Sequence, residues 1–228
     1  MRLSLNGQHG YRRHFIAAAL MAAAAGVSAS DAVNASKANV PAKSKTILVL
    51  GDSLSAEYGL KRGSGWVALL ENKLKTEKLS FGVVNASISG DTTSGGRSRL
   101  VALLTQHQPS HVIIELGGND ALRGLALQLS QDNLNQMTII AQKSGAKVLL
   151  IGMQVPPNYG KDYNARFAAM FADVAKAHKV ALVPFLLKGV ADVPDSTRLF
   201  QADRIHPKEE AHPVMLGNVW PELRKLLK

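Results

Sequence analysis

Apolar and polar positions along the chain predict strands that alternate with helices from residue 46 onward. Short apolar runs bounded by loop residues are typical of buried parallel strands, and apolar residues at helical spacing are typical of a helix with one buried face. The strand pattern occurs at 46–50, 81–85, 111–116, 147–151 and 180–184. The helical pattern occurs at 66–78, 94–106, 130–144, 163–178 and 207–227, and the last of these is expected to be interrupted around Pro213 and Pro221.

This alternation predicts an α/β fold with three layers, α/β/α, around a five-stranded, mostly parallel sheet. The pattern indicates neither an internal repeat nor a second domain, so residues 46–228 are interpreted as one domain. In a parallel sheet, the segments that follow the strands meet at one edge, where open α/β sheets bind their ligands. Candidate functional residues are therefore sought directly after the strands.

The first 29 residues have a different pattern, which is typical of a secretory signal peptide. A basic segment with three arginines precedes an alanine-rich apolar run at 15–27, and Val27-Ser28-Ala29 offers small residues for cleavage. Residues 30–45 are predicted to form a flexible leader. We therefore expect a periplasmic or secreted protein, and the paired arginines leave general and twin-arginine export both open.

Composition and charge narrow the choice of partners. The chain has no cysteine, so it can form no disulfide. Its formal net charge is +10, but the basic residues are dispersed and aromatics make up only 5%, so we predict no nucleic-acid binding and at most a transient contact with anionic lipid. No closely spaced set of histidines offers metal ligands, so we expect neither a metal nor a cofactor, and we expect a monomer.

Polar residues after the strands are of the types used in nucleophilic catalysis. Ser53 follows the first strand, and a serine hydroxyl becomes a nucleophile when a base takes its proton. His206 is the candidate base, because histidine titrates near neutral pH, and Asp203 can hold its Nδ1–H. Taken singly, each could instead be a loop, turn or helix-start residue. His212 is a rival base, but Glu209 stands where an orienting aspartate would be needed.

Four blocks, in this order, resemble the SGNH/GDSL hydrolases. The blocks are Gly51-Asp52-Ser53-Leu54-Ser55, Asn85-Ala86-Ser87-Ile88-Ser89-Gly90-Asp91, Glu115-Leu116-Gly117-Gly118-Asn119-Asp120 and Asp203-x-x-His206-Pro207. The resemblance implies a flavodoxin-like α/β/α fold with Ser53, Asp203 and His206 as catalytic residues. It also implies an oxyanion hole formed by the backbone N–H groups of Ser53 and Gly90 and the side-chain amide of Asn119. Asp52 and Asp120 are expected to hydrogen-bond loop backbone rather than to react.

Longer stretches are similar to the periplasmic branch of that family, whose members act as thioesterases, lysophospholipases and arylesterases. This similarity implies a serine hydrolase that cleaves small-molecule acyl esters and thioesters through an acyl-serine intermediate. The alternatives are a carbohydrate O-acetyl esterase on the same scaffold and a non-catalytic protein that binds acyl groups or lipid. Four residues in the loops after the third and fourth strands are candidates for lining the acyl site: Leu122, Leu125, Pro157 and Tyr159.

One position departs from the family pattern. Arg204 lies between the candidate acid and base, where close relatives often carry a small residue. The spacing of Asp203 and His206 is unaffected, so the departure bears on substrate preference more than on catalysis. A cation at this position can alter the local electrostatics or bind a substrate headgroup.

Overall fold

A parallel sheet of five strands forms the centre of the protein. The computed structural model describes residues 45–228, so the predicted signal peptide and the leader up to residue 44 lie outside the described residues. The strands are β1 (Lys45–Gly51), β2 (Phe81–Asn85), β3 (His111–Glu115), β4 (Lys147–Ile151) and β5 (Ala181–Val183). Their order in the sheet is β2-β1-β3-β4-β5, and every neighbouring pair is parallel. The predicted fold class is therefore confirmed.

Helices cover both faces of this sheet. They are α1 (Trp66–Thr76), α2 (Thr93–His107), α3 (Gly118–Leu122), α4 (Leu127–Lys143), α5 (Lys161–His178) and α6 (His212–Leu226). Helices α1 and α6 pack on each other, whereas α4 packs between α2 and α5. None of the helices within residues 45–228 is long and apolar enough to cross a bilayer.

The core lies between the sheet and these helices. Strand β1 is fully buried at Ile47, Leu48, Val49 and Leu50, as expected for a strand that is covered on both faces. Trp66 of α1 is also fully buried. Burying a large apolar side chain stabilises a fold by about 1.5–3 kcal/mol, so this core anchors the strand ends that carry the polar residues.

The last helix is shorter than the segment 207–227 that was predicted to contain it. Helix α6 begins at His212, not at Pro207, because Pro207 pairs with Phe200 in an isolated antiparallel bridge. Pro213 does not interrupt α6 but lies in its first turn, where a missing N–H leaves no hydrogen bond unmade. His206 therefore lies in a loop that this bridge holds in place.

The short helix α3 was not predicted. It follows Gly117, whose φ of 122° lies in a region that favours glycine, and it spans only Gly118–Leu122. A helix of this length shows no clear apolar period in the sequence. Its first turn carries Asn119 to the carboxyl edge of the sheet.

Candidate active site

Ser53 lies in a tight turn directly after the central strand β1. The carbonyl of Asp52 accepts the N–H of Ser55 at 3.2 Å, which closes the turn. Gly51 precedes it, and a Cβ at this position would lie 2.8 Å from Ser55 Oγ and 2.9 Å from Glu115 Oε2. Only glycine therefore fits beneath the turn that presents the candidate nucleophile.

Ser53, His206 and Asp203 form one hydrogen-bonded chain. Nε2 of His206 lies 2.9 Å from Oγ of Ser53, and Nδ1 of His206 lies 2.7 Å from Oδ2 of Asp203. With Nδ1–H donated to the carboxylate, Nε2 can accept the hydroxyl proton of Ser53. The fold thus brings the three predicted residues together, although Ser53 and His206 are 153 positions apart.

Asp203 is fixed by backbone as well as by the imidazole. Its Oδ1 accepts the N–H groups of Ile205 at 2.9 Å and His206 at 3.0 Å. The backbone N–H of His206, followed by the His206 side chain, lowers the pKa of Asp203 to about 2. The carboxylate is therefore ionised at neutral pH and can hold an imidazolium.

Arg204 has a left-handed backbone conformation, which glycine adopts more readily than other residues. Its φ of 59° lies in the left-handed region, and its N–H donates to the carbonyl of Gln201 at 3.0 Å. Its side chain is exposed. Glycine, which has no Cβ, would adopt this backbone with less strain. The effect of the cation on substrate preference stays a prediction.

The loop after β2 carries Gly90, whose φ of 79° also requires glycine. Ile88 in this loop donates its N–H to the carbonyl of Gly51 at 3.0 Å, and Arg123 donates Nη2–H to the carbonyl of Gly90 at 2.7 Å. Within residues 45–228, neither the Gly90 N–H nor the Ser53 N–H donates to a protein acceptor. Both N–H groups therefore have no protein acceptor in the described residues, which is what an oxyanion donor requires.

Asn119, the third predicted oxyanion donor, is engaged elsewhere. Its Nδ2 donates to Oδ2 of Asp52 and to the carbonyl of Asp91, both at 3.0 Å. Oδ1 of Asp52 accepts the N–H of Leu54 at 3.0 Å, so Asp52 links the nucleophile turn to this amide. An oxyanion would have to share the Asn119 amide with these acceptors, and its role as a donor stays a prediction.

The other flanking aspartate, Asp120, holds loop backbone. Its Oδ2 accepts the N–H of Thr93 at 2.8 Å, and its Oδ1 accepts the hydroxyl of Ser130 at 3.0 Å. These bonds join the start of α2 to the segment that carries Asn119. The hydrogen bonding expected for Asp52 and Asp120 is therefore present in the structure.

Arg99 of α2 organises the site, although nothing in the sequence pattern singled it out. Its Nη2 lies 2.7 Å from Oδ2 of Asp91 in a pair that is largely buried. The same guanidinium donates to the carbonyl oxygens of Ala86 and Gly51. One side chain thus ties the end of β1 to the loop that carries Gly90.

The four candidate lining residues are not equally placed. Leu122 is exposed in the segment after Asn119, beside the arginine that contacts Gly90, and Leu125 is half-buried. Pro157 and Tyr159 lie in a 3-10 turn after β4, and the ring of Tyr159 lies 5.7 Å from that of Tyr163 in α5. Among the described residues, the contacts of this turn lead to α5 rather than to the triad. A lining role for all four stays a prediction.

Beneath the nucleophile turn lies a pair of buried carboxyl groups. Oε2 of Glu115 accepts the hydroxyl of Ser55 at 2.7 Å, whereas its buried Oε1 has no partner among the described residues. Burial, reinforced by the charge of Asp52, raises the pKa of Glu115 well above its usual value, and burial raises the pKa of Asp52 to about 6. Burial thus favours the protonated form of both carboxyl groups. The signal in the sequence was a charged residue at the end of an apolar strand.

We expect Glu115→Gln to stabilise the protein at alkaline pH. A carboxyl whose folded pKa exceeds its unfolded value of about 4.5 binds its proton more tightly in the folded state, so stability is lost as pH rises above that value. Glutamine is neutral throughout, so the free energy of unfolding should fall less between pH 5 and pH 8 than in the wild type, and at pH 8 the variant should be the more stable protein. Urea unfolding at pH 5 and pH 8 measures the effect.

Glu210→Gln, which changes an exposed glutamate, is the matched control and should leave the pH dependence of unfolding unchanged. A Glu115→Gln protein that is less stable than wild type at pH 8 would contradict the interpretation of Glu115 as a buried carboxyl whose ionisation costs stability.

Known proteins similar to this chain are hydrolases. The profile described as the GDSL-like Lipase/Acylhydrolase family matches residues 49–214. Esterase TesA of Pseudomonas aeruginosa is 52% identical over 186 residues, which cover 82% of this chain and 91% of that protein. Thioesterase 1/protease 1/lysophospholipase L1 of Escherichia coli is 41% identical over 186 residues, covering 82% and 86%. The crystal structure of the psychrotrophic esterase EstA from Pseudoalteromonas sp. superimposes with a TM-score of 0.75 at 39% identity, covering 80% of this chain and 98% of that one.

Proposed function

This chain belongs to the GDSL-like lipase/acylhydrolase family and is a serine hydrolase that cleaves esters. From this premise, we propose the roles of three residues in the reaction. Ser53 is the nucleophile, His206 the general base and acid, and Asp203 the residue that orients the imidazole. The observation that carries this proposal is the continuous hydrogen-bonded chain, with distances of 2.9 Å and 2.7 Å, at the carboxyl edge of the sheet.

In the first half of the reaction, Oγ of Ser53 attacks the carbonyl carbon of the substrate while His206 takes the hydroxyl proton. The resulting oxyanion accepts hydrogen bonds from the free N–H groups of Ser53 and Gly90 and from the amide of Asn119. Each such donor stabilises the transition state by about 2.7–4 kcal/mol. The imidazolium then protonates the leaving oxygen or sulfur, and an acyl-Ser53 ester is left.

In the second half, a water molecule attacks the acyl carbonyl while His206 takes one of its protons. The same donors hold the second oxyanion. His206 then returns the proton to Oγ of Ser53, and the carboxylic acid leaves. The steps balance: the substrate supplies the acyl and leaving groups, water supplies the hydroxyl of the acid, and Ser53 and His206 are regenerated.

The substrates proposed are aryl esters, lysophospholipids and acyl thioesters. Three large apolar side chains on the segments that carry the candidate catalytic residues are 45–53% exposed: Ile88, Leu122 and Ile205. Exposed apolar side chains beside a catalytic site can bind apolar groups of a substrate, and an acyl chain or an aryl ring suits these residues. The name of the relative from E. coli includes both thioesterase and lysophospholipase.

A series of p-nitrophenyl esters from acetyl to decanoyl, measured beside a lysophospholipid and an acyl thioester, tests the substrate class. We expect kcat/KM to rise from the acetyl ester to a longer acyl ester, because each buried CH₂ contributes about 0.8 kcal/mol. The lysophospholipid and the thioester should also be cleaved. A sharp acetyl optimum without lysophospholipid cleavage would instead indicate the carbohydrate O-acetyl esterase.

We further propose that residues 1–29 direct export, so that the mature enzyme, recovered from the periplasm, begins after Ala29.

Family membership sets aside the alternative of a non-catalytic binding protein. The monomeric state and the contact with anionic lipid stay predictions.

A further inference from the structure

The ring of Tyr58 lies against the imidazole of His206. The two ring centroids are 4.3 Å apart and the ring planes differ by 38°. Asp203 and Ser53 occupy the two nitrogens of the imidazole, so Tyr58 is a third contact, made to a ring face. The side chain of His206 is only 15% exposed, although it lies in a surface loop.

A single side chain, Gln201, joins the segment that carries Tyr58 to the segment that carries His206. Nε2 of Gln201 donates to the carbonyl of Tyr58 at 2.9 Å and to that of Pro207 at 3.2 Å. Its backbone N–H donates to the carbonyl of His206 at 2.8 Å. Gly59 has a φ of 70°, and a Cβ there would lie 2.2 Å from Oε1 of Gln201. The glycine therefore makes room for this clamp.

Glu57 holds the same loop from its other side. Its carboxylate oxygens accept the N–H of Gly63 at 3.1 Å and 3.0 Å, and one of them accepts the N–H of Gly65 at 2.8 Å. The φ of Glu57, 60°, is in the left-handed region, which directs the chain into this arrangement. The loop that presents Tyr58 is thus fixed at both ends by groups outside the triad.

We propose that Tyr58 is a positioning residue of the hydrolysis. Its ring keeps the imidazole of His206 directed at Ser53, and its π face stabilises the imidazolium that forms as Ser53 attacks. The Gln201 clamp keeps the ring in this place. The carboxylates that act on His206 are those of Asp203 and Asp52, and the ring of Tyr58 adds a contact with the imidazole ring itself. This inference rests on the proposed role of His206 as the base.

The test compares Tyr58→Leu, which removes the ring but keeps apolar bulk, with Tyr58→Phe, which keeps the ring. For p-nitrophenyl acetate, we expect Tyr58→Leu to lower kcat about two- to fivefold, the size of an exposed cation–π contact, with KM changed less than kcat. The acid limb of its kcat/KM profile should move to lower pH, because the imidazolium is less stabilised. Tyr58→Phe should restore both values.

Gln201→Leu should lower kcat in the same direction, because the ring loses its clamp. Leu129→Ala, which truncates a side chain of α4 that is 47% exposed, is the control and should match wild type. Unchanged kcat and pH profile in Tyr58→Leu would overturn the inference, as would equal losses in the Leu and Phe variants. A lower kcat with an unmoved acid limb would also overturn it, because that result indicates only a structural role.

Ser53→Ala, assayed in parallel, keeps this inference separable from the proposed function. An inactive Ser53→Ala beside a normal Tyr58→Leu would overturn the role of Tyr58 alone. Activity retained in Ser53→Ala would overturn both proposals.

Discussion

Replacing Ser53 with alanine is expected to lower kcat on the order of 10⁴- to 10⁶-fold, as removal of the nucleophile does in other serine hydrolases. Without Oγ no acyl-enzyme can form, and the open N–H groups can only assist a slow attack by water. The half-buried hydroxyl has no hydrogen-bond partner but His206 among the described residues, so the free energy of unfolding should change little. Hydrolysis of p-nitrophenyl butyrate and urea unfolding measure the two effects.

Ser98→Ala serves as the matched control. Ser98 lies on α2, and its hydroxyl donates to the carbonyl of Gly95 at 2.7 Å, away from the triad, so full activity is expected. A reactive phosphonate ester should add its phosphonyl group to Ser53 in the wild type and not in Ser53→Ala, as followed by mass spectrometry of the intact protein. Near-normal turnover by Ser53→Ala would rule out the proposed mechanism.

Alanine substitutions at His206 and His212 are expected to separate activity from stability. His206→Ala should lose kcat on the order of 10⁴- to 10⁶-fold, because Ser53 loses its base. His212 is buried, and its Nδ1 accepts the N–H of Trp66 at 3.0 Å. His212→Ala leaves that N–H unpaired and opens a cavity, so it should lose about 2–4 kcal/mol of unfolding free energy and little kcat.

The pH dependence of unfolding provides a second measure of His212. Burial lowers the pKa of His212, although Glu57 and Glu209 act against this shift. The ordinary pKa of histidine is about 6.5, so below this pH His212 is protonated more readily in the unfolded state than in the folded state. The free energy of unfolding of the wild type therefore decreases as the pH falls below about 6.5. This acid sensitivity should shrink in His212→Asn. If His212→Ala, rather than His206→Ala, abolished turnover at full stability, the choice of base would be wrong.

The fold was predictable because local pattern and tertiary structure agree in this chain. The central strand β1 is buried on both faces and apolar at Ile47–Leu50, so its position follows from the apolar run alone. The start of α6 was not predictable in this way. The bridge between Phe200 and Pro207, two segments of an irregular stretch, displaces the helix start, and no local preference encodes that contact.

Some residues of the candidate site were predictable from the sequence, and others were not. Ser53 and His206 could be predicted because their residue types suit nucleophilic catalysis. The parallel sheet explains why they lie close together, since the segments that follow its strands lie at one edge. Arg99, Gln201 and Tyr58 act through long-range contacts with backbone or with a ring face, and many residue types could stand at such positions in a sequence. Asn119 was predicted as a donor, but its bonds to Asp52 and Asp91 depend on loop geometry that spacing does not reveal.

The distance along the chain between Ser53 and His206 also bears on how activity is acquired. His206 follows all five strands, so a growing polypeptide cannot place a base beside its serine until the sheet has been synthesised. Closing a loop of 153 residues costs about 4–5 kcal/mol of chain entropy, which the contacts around β1 and α6 must offset before turnover begins. Contacts between distant segments form slowly, so ester cleavage marks completion of refolding, and a partly folded intermediate should have no esterase activity.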